Sequence, residues 1–397
     1  MAFHVLIVTD AYPPMRTSGA VQLFDLGQAF RKAGHAITVI VPVASQANRV
    51  KREVHHGCEV ITVRAFQTKD VNYVRRTLAE FINPFWIWFY LQSTSALQHK
   101  KIDGVIWYSP TIFWGPLVRR LKKKFSCPAY LILRDLFPDW ALDLGVLKKG
   151  PIYTFLKKVE RYQYAQANVI GAQSPNNAQY LERQFPDLNK KMEVLWNWIG
   201  APTLLNCPIT LSNTLLKGKT ILVYAGNMGL AQGMDALLDL ARSLEGYSNL
   251  GLLFVGRGSE VPRLKASAAH AGLTNILFLD EIDPAFIPSL FAQCHIGLIA
   301  LDSRHTTHNI PGKLLTYLQS GLPIVALVNP DNDLLEVVQK NRVGVAITDS
   351  AQLLEATLTV QHLRQTDANL SARCTELATT FFSATTAMQQ IAKHFKR

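Results

Sequence analysis

Thr220-Ile-Leu-Val-Tyr224, continued by Ala-Gly226-Asn-Met-Gly229-Leu-Ala-Gln-Gly233, is the stretch on which the fold turns. A short run of branched apolar residues predicts a buried parallel strand, and the glycine-rich loop leads into a helix over Gly233–Leu244. This restart of a strand–helix alternation predicts a second α/β domain beginning near residue 218. Just before it, Gly200–Lys219 holds Pro202, Pro208 and a Ser/Thr/Asn-rich stretch, the composition of an interdomain linker. Downstream, Leu250–Val255, Ile276–Leu279, Ile296–Leu301 and Ile324–Val328 are further strand candidates.

The same rhythm runs through the first half. Phe3–Thr9 predicts a strand that Asp10-Ala-Tyr-Pro-Pro14 breaks, and Ala20–Ala33 has helical spacing with Gly34 placed to end it. Strands follow at Ala36–Val41, Gly57–Val63, Gly104–Tyr108 and Ala129–Leu133. The expected architecture is two Rossmann-like, doubly wound α/β domains, 1–200 and 201–375, facing a central cleft. A last helix over 376–397 is expected to pack back on the first domain. Open parallel sheets bind ligands beyond the carboxyl ends of their strands, so the residues just after each strand are the candidates for function.

The 397 residues carry 41 Lys and Arg against 29 Asp and Glu, a formal net charge of +12. Residues 1–200 hold 26 basic and 14 acidic groups, whereas 201–397 hold 15 of each, so the excess lies wholly in the first half. With 48% hydrophobic residues the chain is neither disordered nor fibrous. Its most apolar stretch, Phe81–Leu91, is about half of the ~20 residues a membrane-spanning helix needs. No secretory signal pattern opens the sequence, and five scattered cysteines form no CxxC pair. A disulfide framework and a zinc site are therefore not expected, and a reduced cytoplasmic compartment is.

Three loops carry candidate chemistry. The loop Gly226–Gly233 lets backbone N–H groups approach a phosphate at a helix start, although strand-to-helix turns also use glycine for packing. Phe254-Val-Gly-Arg-Gly258 adds a cation, Arg257, whose plainer reading is a solvated loop residue. In Asn309-Ile-Pro-Gly-Lys313-Leu-Leu-Thr316, Pro311 and Gly312 open a helix with Lys313 in its first turn. There a cation opposes the helix dipole unless an anion sits nearby; the alternative is an exposed helix residue.

These elements, in this order, resemble the donor half of GT-B glycosyltransferases of family 4. The family's Gly-Arg…Lys-Gly pattern is here Gly226-Asn227…Gln232-Gly233, and its Glu-x7-Glu positions fall on His308 and Thr316. What these residues resemble is the subgroup with Gly-Asn, a downstream Gln-Gly and a Pro-Ser/Gly-Lys turn, which includes O-antigen enzymes similar to N-acetyl-L-fucosamine transferases. In the first half, Pro13-Pro14…Ser18-Gly19, Arg31-Lys-Ala-Gly-His35, Ala172-Gln-Ser174, Leu195-Trp-Asn197-Trp198 and Arg134-Asp135-Leu-Phe-Pro138-Asp139 are similar to family segments.

The resemblance implies a retaining, metal-independent transfer from a nucleotide sugar, taken as a UDP-sugar, without a cofactor. It implies Lys313 as the group stabilising the departing diphosphate, with Arg257 and backbone donors near Gly19 and Gly226. Ser18, Asn227, Gln232, His308, Pro311, Gly312, Leu314 and Thr316 join them as donor contacts. Asp135, catalytic or only sugar-binding, and Arg134 and Trp198 are the acceptor-side candidates; the alternative for Asp135 is a helix cap. Asp331-Asn-Asp333 reads as a helix cap with Asp333 as N-cap and Glu336 three residues on, not as a metal motif. His305 and His308 lack an accompanying carboxylate cluster. Asp10 is not followed by a GxGxxG, which argues against nicotinamide or flavin binding.

Basic residues at Arg75-Arg76, Lys100-Lys101, Arg119–Lys124, Lys148-Lys149 and Lys157-Lys158 surround Pro84-Phe-Trp-Ile-Trp-Phe-Tyr90. An anionic membrane surface is the expected partner of such a face, beside the donor and a glycolipid or polyprenyl-diphosphate-linked acceptor, and nucleic acid is not. The plainer reading is a buried aromatic helix and solvated lysines. The expected location is cytoplasmic, peripheral at the inner face of the membrane. Competing functions are a nucleotide-sugar epimerase on the same fold and a non-catalytic sugar-nucleotide-binding scaffold.

Overall fold

The computed structural model describes residues 2–15, 17–143, 145–202, 205–302 and 310–395. The chain divides into two compact units, one of residues 1–200 with 384–397 and one of residues 201–383.

The first unit runs β1 (His4–Val8), α1 (Ser18–Lys32), β2 (Ala36–Val43), β3 (Val50–His55), β4 (Cys58–Arg64), α2 (Tyr73–Ser93), β5 (Gly104–Ser109), α3 (Gly115–Phe125), β6 (Ala129–Leu133), α4 (Asp139–Asp143), α5 (Pro151–Gln166), β7 (Val169–Ala172), α6 (Pro175–Gln184) and β8 (Met192–Val194). Its sheet order is β3-β4-β2-β1-β5-β6-β7-β8, parallel throughout except for the β3–β4 hairpin. Helices cover both faces, which is why β5 and β6 are buried along their whole length rather than alternating. Successive residues still point to opposite sides: Leu6 and Val8 join Trp107 and Leu117 in one core, while Val5 and Ile7 join Phe30 and Ile106 in the other.

The second unit runs β9 (Thr220–Ala225), α7 (Met234–Ser243), β10 (Leu250–Val255), α8 (Val261–His270), β11 (Ile276–Leu279), α9 (Ile287–Phe291), β12 (Ile296–Ala300), α10 (Gly312–Gln319), β13 (Ile324–Leu327), α11 (Leu334–Lys340), β14 (Gly344–Ile347), α12 (Leu353–Thr366) and α13 (Leu370–Thr380). Its six strands are all parallel in the order β11-β10-β9-β12-β13-β14. Strand order reverses between β9 and β12, and in the first sheet between β1 and β5. Open parallel sheets bind ligands at such switch points.

Three sequence expectations change. The expected helix over 376–397 is two helices: α13 ends at Thr380, and α14 (Ala384–Ala392) starts after Phe381-Phe382-Ser383. Only α14 belongs to the first unit, where Gln390 Nε2 donates to Val194 O at 2.7 Å and to Glu193 Oε1 at 2.9 Å. The stretch read as a linker is docked from Cys207 onward. Cys207 N donates to Ser289 Oγ at 2.7 Å and Leu211 N to Gln293 Oε1 at 2.8 Å, and the Leu211 and Leu216 side chains are buried. Asp333 is the N-cap residue of α11, as expected, but it makes no side-chain cap bond; that bond comes from Asn332, whose Oδ1 accepts Leu334 N–H at 3.0 Å.

The β9 and β10 loops lie backbone against backbone. Gly256 (φ +141°) and Gly258 (φ +154°) have no room for a side chain, because a Cβ would fall 2.0 Å from Gly226 O and 2.2 Å from Met228 O. These glycines therefore serve packing as well as conformation. Gly256→Ala is expected to destabilise the second unit by at least about 2 kcal/mol, from backbone strain plus overlap. An unchanged denaturation midpoint for that unit would refute this.

Candidate functional site

At the switch point of the second sheet, Tyr317 of α10 fixes the geometry. Its side chain is fully buried, and its hydroxyl accepts Ala225 N–H at 2.8 Å, tying the helix to the end of β9. Lys313 lies one turn earlier on the same face. Its ammonium sits over the Tyr224 ring, 3.7 Å from the centroid, and its stem lies 3.9 Å from where a side chain on Gly226 would begin. Among the described residues no carboxylate pairs with it, and burial alone pulls its pKa from 10.5 down to about 7. Lys313 is thus partly buried, not the exposed helix residue of the alternative reading.

The other donor-side candidates fall into distinct environments. Asn227 Nδ2 donates to Gln232 Oε1 at 3.2 Å, and Gly229 N donates to the same oxygen at 3.0 Å, so the Asn and Gln clasp the loop. Gly226 N is spent on Val255 O at 2.9 Å. Arg257 is exposed and pairs with Glu281 at 3.3 Å. Pro311 caps α10, its carbonyl taking Leu314 N–H at 3.1 Å; Gly312 is exposed, the Leu314 side chain is fully buried and Thr316 is half-buried. His305 and His308 lie outside the described residues.

At the first sheet's switch point, the ends of β1, β5 and β6 meet the start of α1. Thr17 Oγ1 caps α1 through Ala20 N, Ser18 is exposed, and Gly19 lies so close to Tyr108 that a Cβ would touch its ring at 3.0 Å. Arg134 is buried and donates to Leu195 O at 2.8 Å and Trp196 O at 3.2 Å, with its guanidinium 5.0 Å above the Trp198 ring. Trp198 is itself buried, its indole N–H donating to Gln22 O at 2.7 Å. These two residues brace the edge, and their bonded groups are spent inside the protein.

Asp135 is half-buried at the end of β6 and accepts no helix-cap bond; the turn that follows closes through Trp140 N to Leu136 O at 3.1 Å. Burial raises its carboxyl from 3.8 to about 6, Arg76 opposing the shift and Asp10 adding to it. Asp10 also rises through burial, against the pull of Lys69, and its Oδ1 is buried with no hydrogen-bond partner. A cavity of about 500 Å³ at the ends of β1 and β2 has Asp10, Tyr12, Pro13, Pro14 and Lys69 in its wall. Sequence reading weighed Asp10 only as a cofactor ligand. Its place immediately after the first strand was the signal for an edge carboxylate.

On α2 most of the aromatics are not buried. Phe81, Ile82, Phe85, Trp86 and Phe89 are 37–55% exposed, continuing the exposed Tyr73, Val74 and Leu78 along the helix. The opposite face, with Ile87, Tyr90 and Leu91, enters the core. Among the described residues no helix is long and apolar enough to cross a membrane.

Residues 219–362 match the family model described as glycosyl transferases group 1, so the second unit carries a domain of that family. The chain is similar to WbjE of Pseudomonas aeruginosa, named as a probable glycosyltransferase, with 22% identity over 222 residues, 54% of each chain. It is also similar to WcaI of Escherichia coli (strain K12), named for colanic acid biosynthesis as a glycosyl transferase, with 24% identity over 57% of each chain. The chain thus spans about half the length of the curated relatives it matches. Over the whole chain the fold is that of HepE from Anabaena, solved in complex with UDP and glucose: TM-score 0.65, 17% identity, 98% of each chain covered. The architecture is therefore GT-B.

The Asp135 shift has a sign that stability measurements can read. Between pH 3.8 and about 6 the folded state keeps a proton that the unfolded state releases, so the penalty grows as pH rises and is complete above about 6. Asp135→Asn should raise the unfolding free energy at about pH 8 by up to ~3 kcal/mol and change it little at about pH 3.5. Equal effects at both pH values would refute the buried-carboxyl assignment.

Proposed function

We propose that this protein is a retaining, metal-independent glycosyltransferase. It moves a sugar from a UDP-sugar to a membrane-linked glycan or polyprenyl-diphosphate-linked acceptor in surface polysaccharide synthesis. The observation that carries this reading is Lys313: an amine without a carboxylate partner among the described residues, desolvated, over Tyr224 at the second sheet's switch point. Such an amine is built to meet an anion that arrives from outside. The group 1 domain over residues 219–362 and the likeness to HepE, a structure solved with UDP, support a nucleotide-sugar donor on this unit. The name of WcaI supports a polysaccharide pathway.

In this reading the second unit binds the donor and the first the acceptor. The bond between the anomeric carbon and the UDP β-phosphate oxygen breaks as the acceptor hydroxyl oxygen bonds the same face of the sugar. The acceptor's proton passes to the departing phosphate, so no enzymatic base is required. Lys313 stabilises the charge growing on the diphosphate, and helix α10 opens toward the same place. Asp135 and Asp10 offer carboxylates to acceptor hydroxyls at the first sheet's edge. An epimerase would have no use for the apolar face of α2 or for the first unit's charge of 29 Lys and Arg against 14 Asp and Glu. The peripheral, inner-face membrane location belongs to this proposal and rests on those two features.

Lys313→Ala should cut transfer from a UDP-sugar at least ~10²-fold with the fold intact. In the wild type, UDP binding should weaken as pH rises above about 7, because the free amine loses its proton there, and the variant should lose that pH dependence. Near-wild-type turnover would sink the assignment. Separately, Leu78→Glu with Phe89→Glu should abolish co-sedimentation with phosphatidylglycerol vesicles at low salt; retained binding would remove α2 from the membrane face.

A further inference from the structure

The turn that leads from Asp135 at the end of β6 into α4 is gripped from two sides. On one side Phe137 packs against the buried cluster of Ile112, Phe113 and Leu156. On the other, Asp139, buried at the head of α4, reaches away from its own helix. Its Oδ1 accepts the Tyr153 hydroxyl at 2.8 Å, and its Oδ2 accepts the Tyr180 hydroxyl at 2.7 Å and the Lys157 ammonium at 3.0 Å. An aspartate at the start of a helix is commonly spent on the free amides there. Asp139 spends both oxygens on α5 and α6 instead.

Lys157 is the centre of this arrangement. Tyr153, Lys157, Glu160 and Tyr164 stand at helical spacing and share one inward face of α5. The Lys157 ammonium also faces one oxygen of Glu160, whose other oxygen accepts the Tyr164 hydroxyl at 2.9 Å. Two buried carboxylates thus share one ammonium. Burial raises the Glu160 carboxyl to about 7, with Lys157 and Tyr164 opposing the rise and Asp139 adding to it. Stability alone would be served as well by apolar side chains in these places. What the arrangement fixes is position, because the ammonium cannot follow Asp139 outward without leaving Glu160.

We propose that Lys157 is a positioning residue for Asp135: held on α5 by Glu160, it anchors Asp139 and so fixes where the turn between β6 and α4 points the Asp135 side chain. This deepens the proposed function and rests on it only for giving Asp135 a part in acceptor binding.

The test uses the full chain and two readings. The first is hydrogen exchange at the amides of Trp140 and Ala141, which close the turn onto Leu136 O and Pro138 O at 3.1 Å each. Lys157→Met should speed their exchange at least ~10-fold with β6 unchanged, and Lys157→Arg should return it to within about 3-fold of wild type. Tyr180→Phe, which takes one hydroxyl from Asp139 and leaves α5 intact, should speed it at least ~3-fold. The second reading is the Asp135 carboxyl itself. In wild type, Asp135→Asn should shift the folding equilibrium at about pH 8 toward the folded state by about 100-fold, the equivalent of the rise from 3.8 to about 6. In Lys157→Met the same substitution should shift it less than ~10-fold, because a freed turn lets the carboxyl reach water. A tie that merely joined α5 to α6 would lower stability without moving this difference.

Wild-type exchange in the turn of Lys157→Met, or an undiminished Asp135→Asn shift in that background, would overturn the proposal. So would a Lys157→Arg variant no better than Lys157→Met. If Lys157→Met does not fold, Tyr180→Phe decides by the same two readings, and an unchanged turn in that variant overturns the role. UDP-induced thermal stabilisation, which reports the second unit, should persist in every folded variant. Its absence from wild type would count against the donor reading and leave the role of Lys157 standing.

Discussion

Parallel strands deliver all their carboxyl ends to one edge of a sheet, and each sheet here reverses its strand order once. Loops that diverge at a reversal leave a crevice that nothing in the local packing fills. The candidate site residues of this chain sit at those two edges. In the second sheet the decisive contact is Ala225 N–H to the Tyr317 hydroxyl, because it fixes the rotation of α10 about its own axis relative to β9. With Tyr317 locked and buried, Lys313, four residues earlier, has to rise over Tyr224. The position of one amine is thus set by a buried tyrosine a helical turn away.

The charge distribution sharpens once the units are known. The first unit holds 29 basic and 14 acidic groups, the second 12 and 15, so the return of α14 makes the asymmetry larger than the two halves of the sequence suggest. Part of that excess is neutralised locally: Lys100 with Glu59, Lys157 with Asp139 and Glu160, Arg76 with Glu80. Among the described residues, Arg119, Lys123 and Lys158 make no ion pair, beside the apolar face of α2. Basic excess and exposed aromatics therefore occupy one region, the combination that the proposed membrane-facing role needs.

Strand positions were legible because parallel strands covered on both faces must be continuous apolar runs, as in β1, β5, β6 and β9. Lys313 was legible because a cation in a helix's first turn is locally disfavoured, so its presence calls for an outside reason. What could not be read is set by tertiary contact. Asn332 and Asp333 are equally good caps by type, and only the backbone turn decides which side chain reaches Leu334 N–H. The break at 381–383 occurs in a sequence without proline or glycine, because α13 packs on α10 whereas Ala384 N–H is taken by Ile199 O at 3.1 Å. The aromatic run of α2 has the composition of a buried helix. Its exposure follows from Asn83 and Pro84 facing inward, where Asn83 exchanges bonds of 2.8 and 3.0 Å with the backbone of Phe66.

The neutral pair Asn227 and Gln232, standing where the resembled enzymes carry a basic pair, acquires a rationale under the proposed function. Two exposed cations on a loop would attract a diphosphate at every stage of a reaction about equally, strengthening binding without favouring the transition state. The neutral pair instead closes the loop on itself, through Asn227 to Gln232 and Gly229 to Gln232. In the proposed reaction the burden falls on a single desolvated amine, Lys313, whose charged form is disfavoured until an anion is beside it. Its attraction is greatest where charge on the leaving oxygen is greatest, in a site that need not reorganise as that charge develops. In the proposed reaction one partly buried lysine would do by differential stabilisation what two surface cations would do by uniform binding, and the aromatic ring beneath it offsets part of the cost of keeping it there.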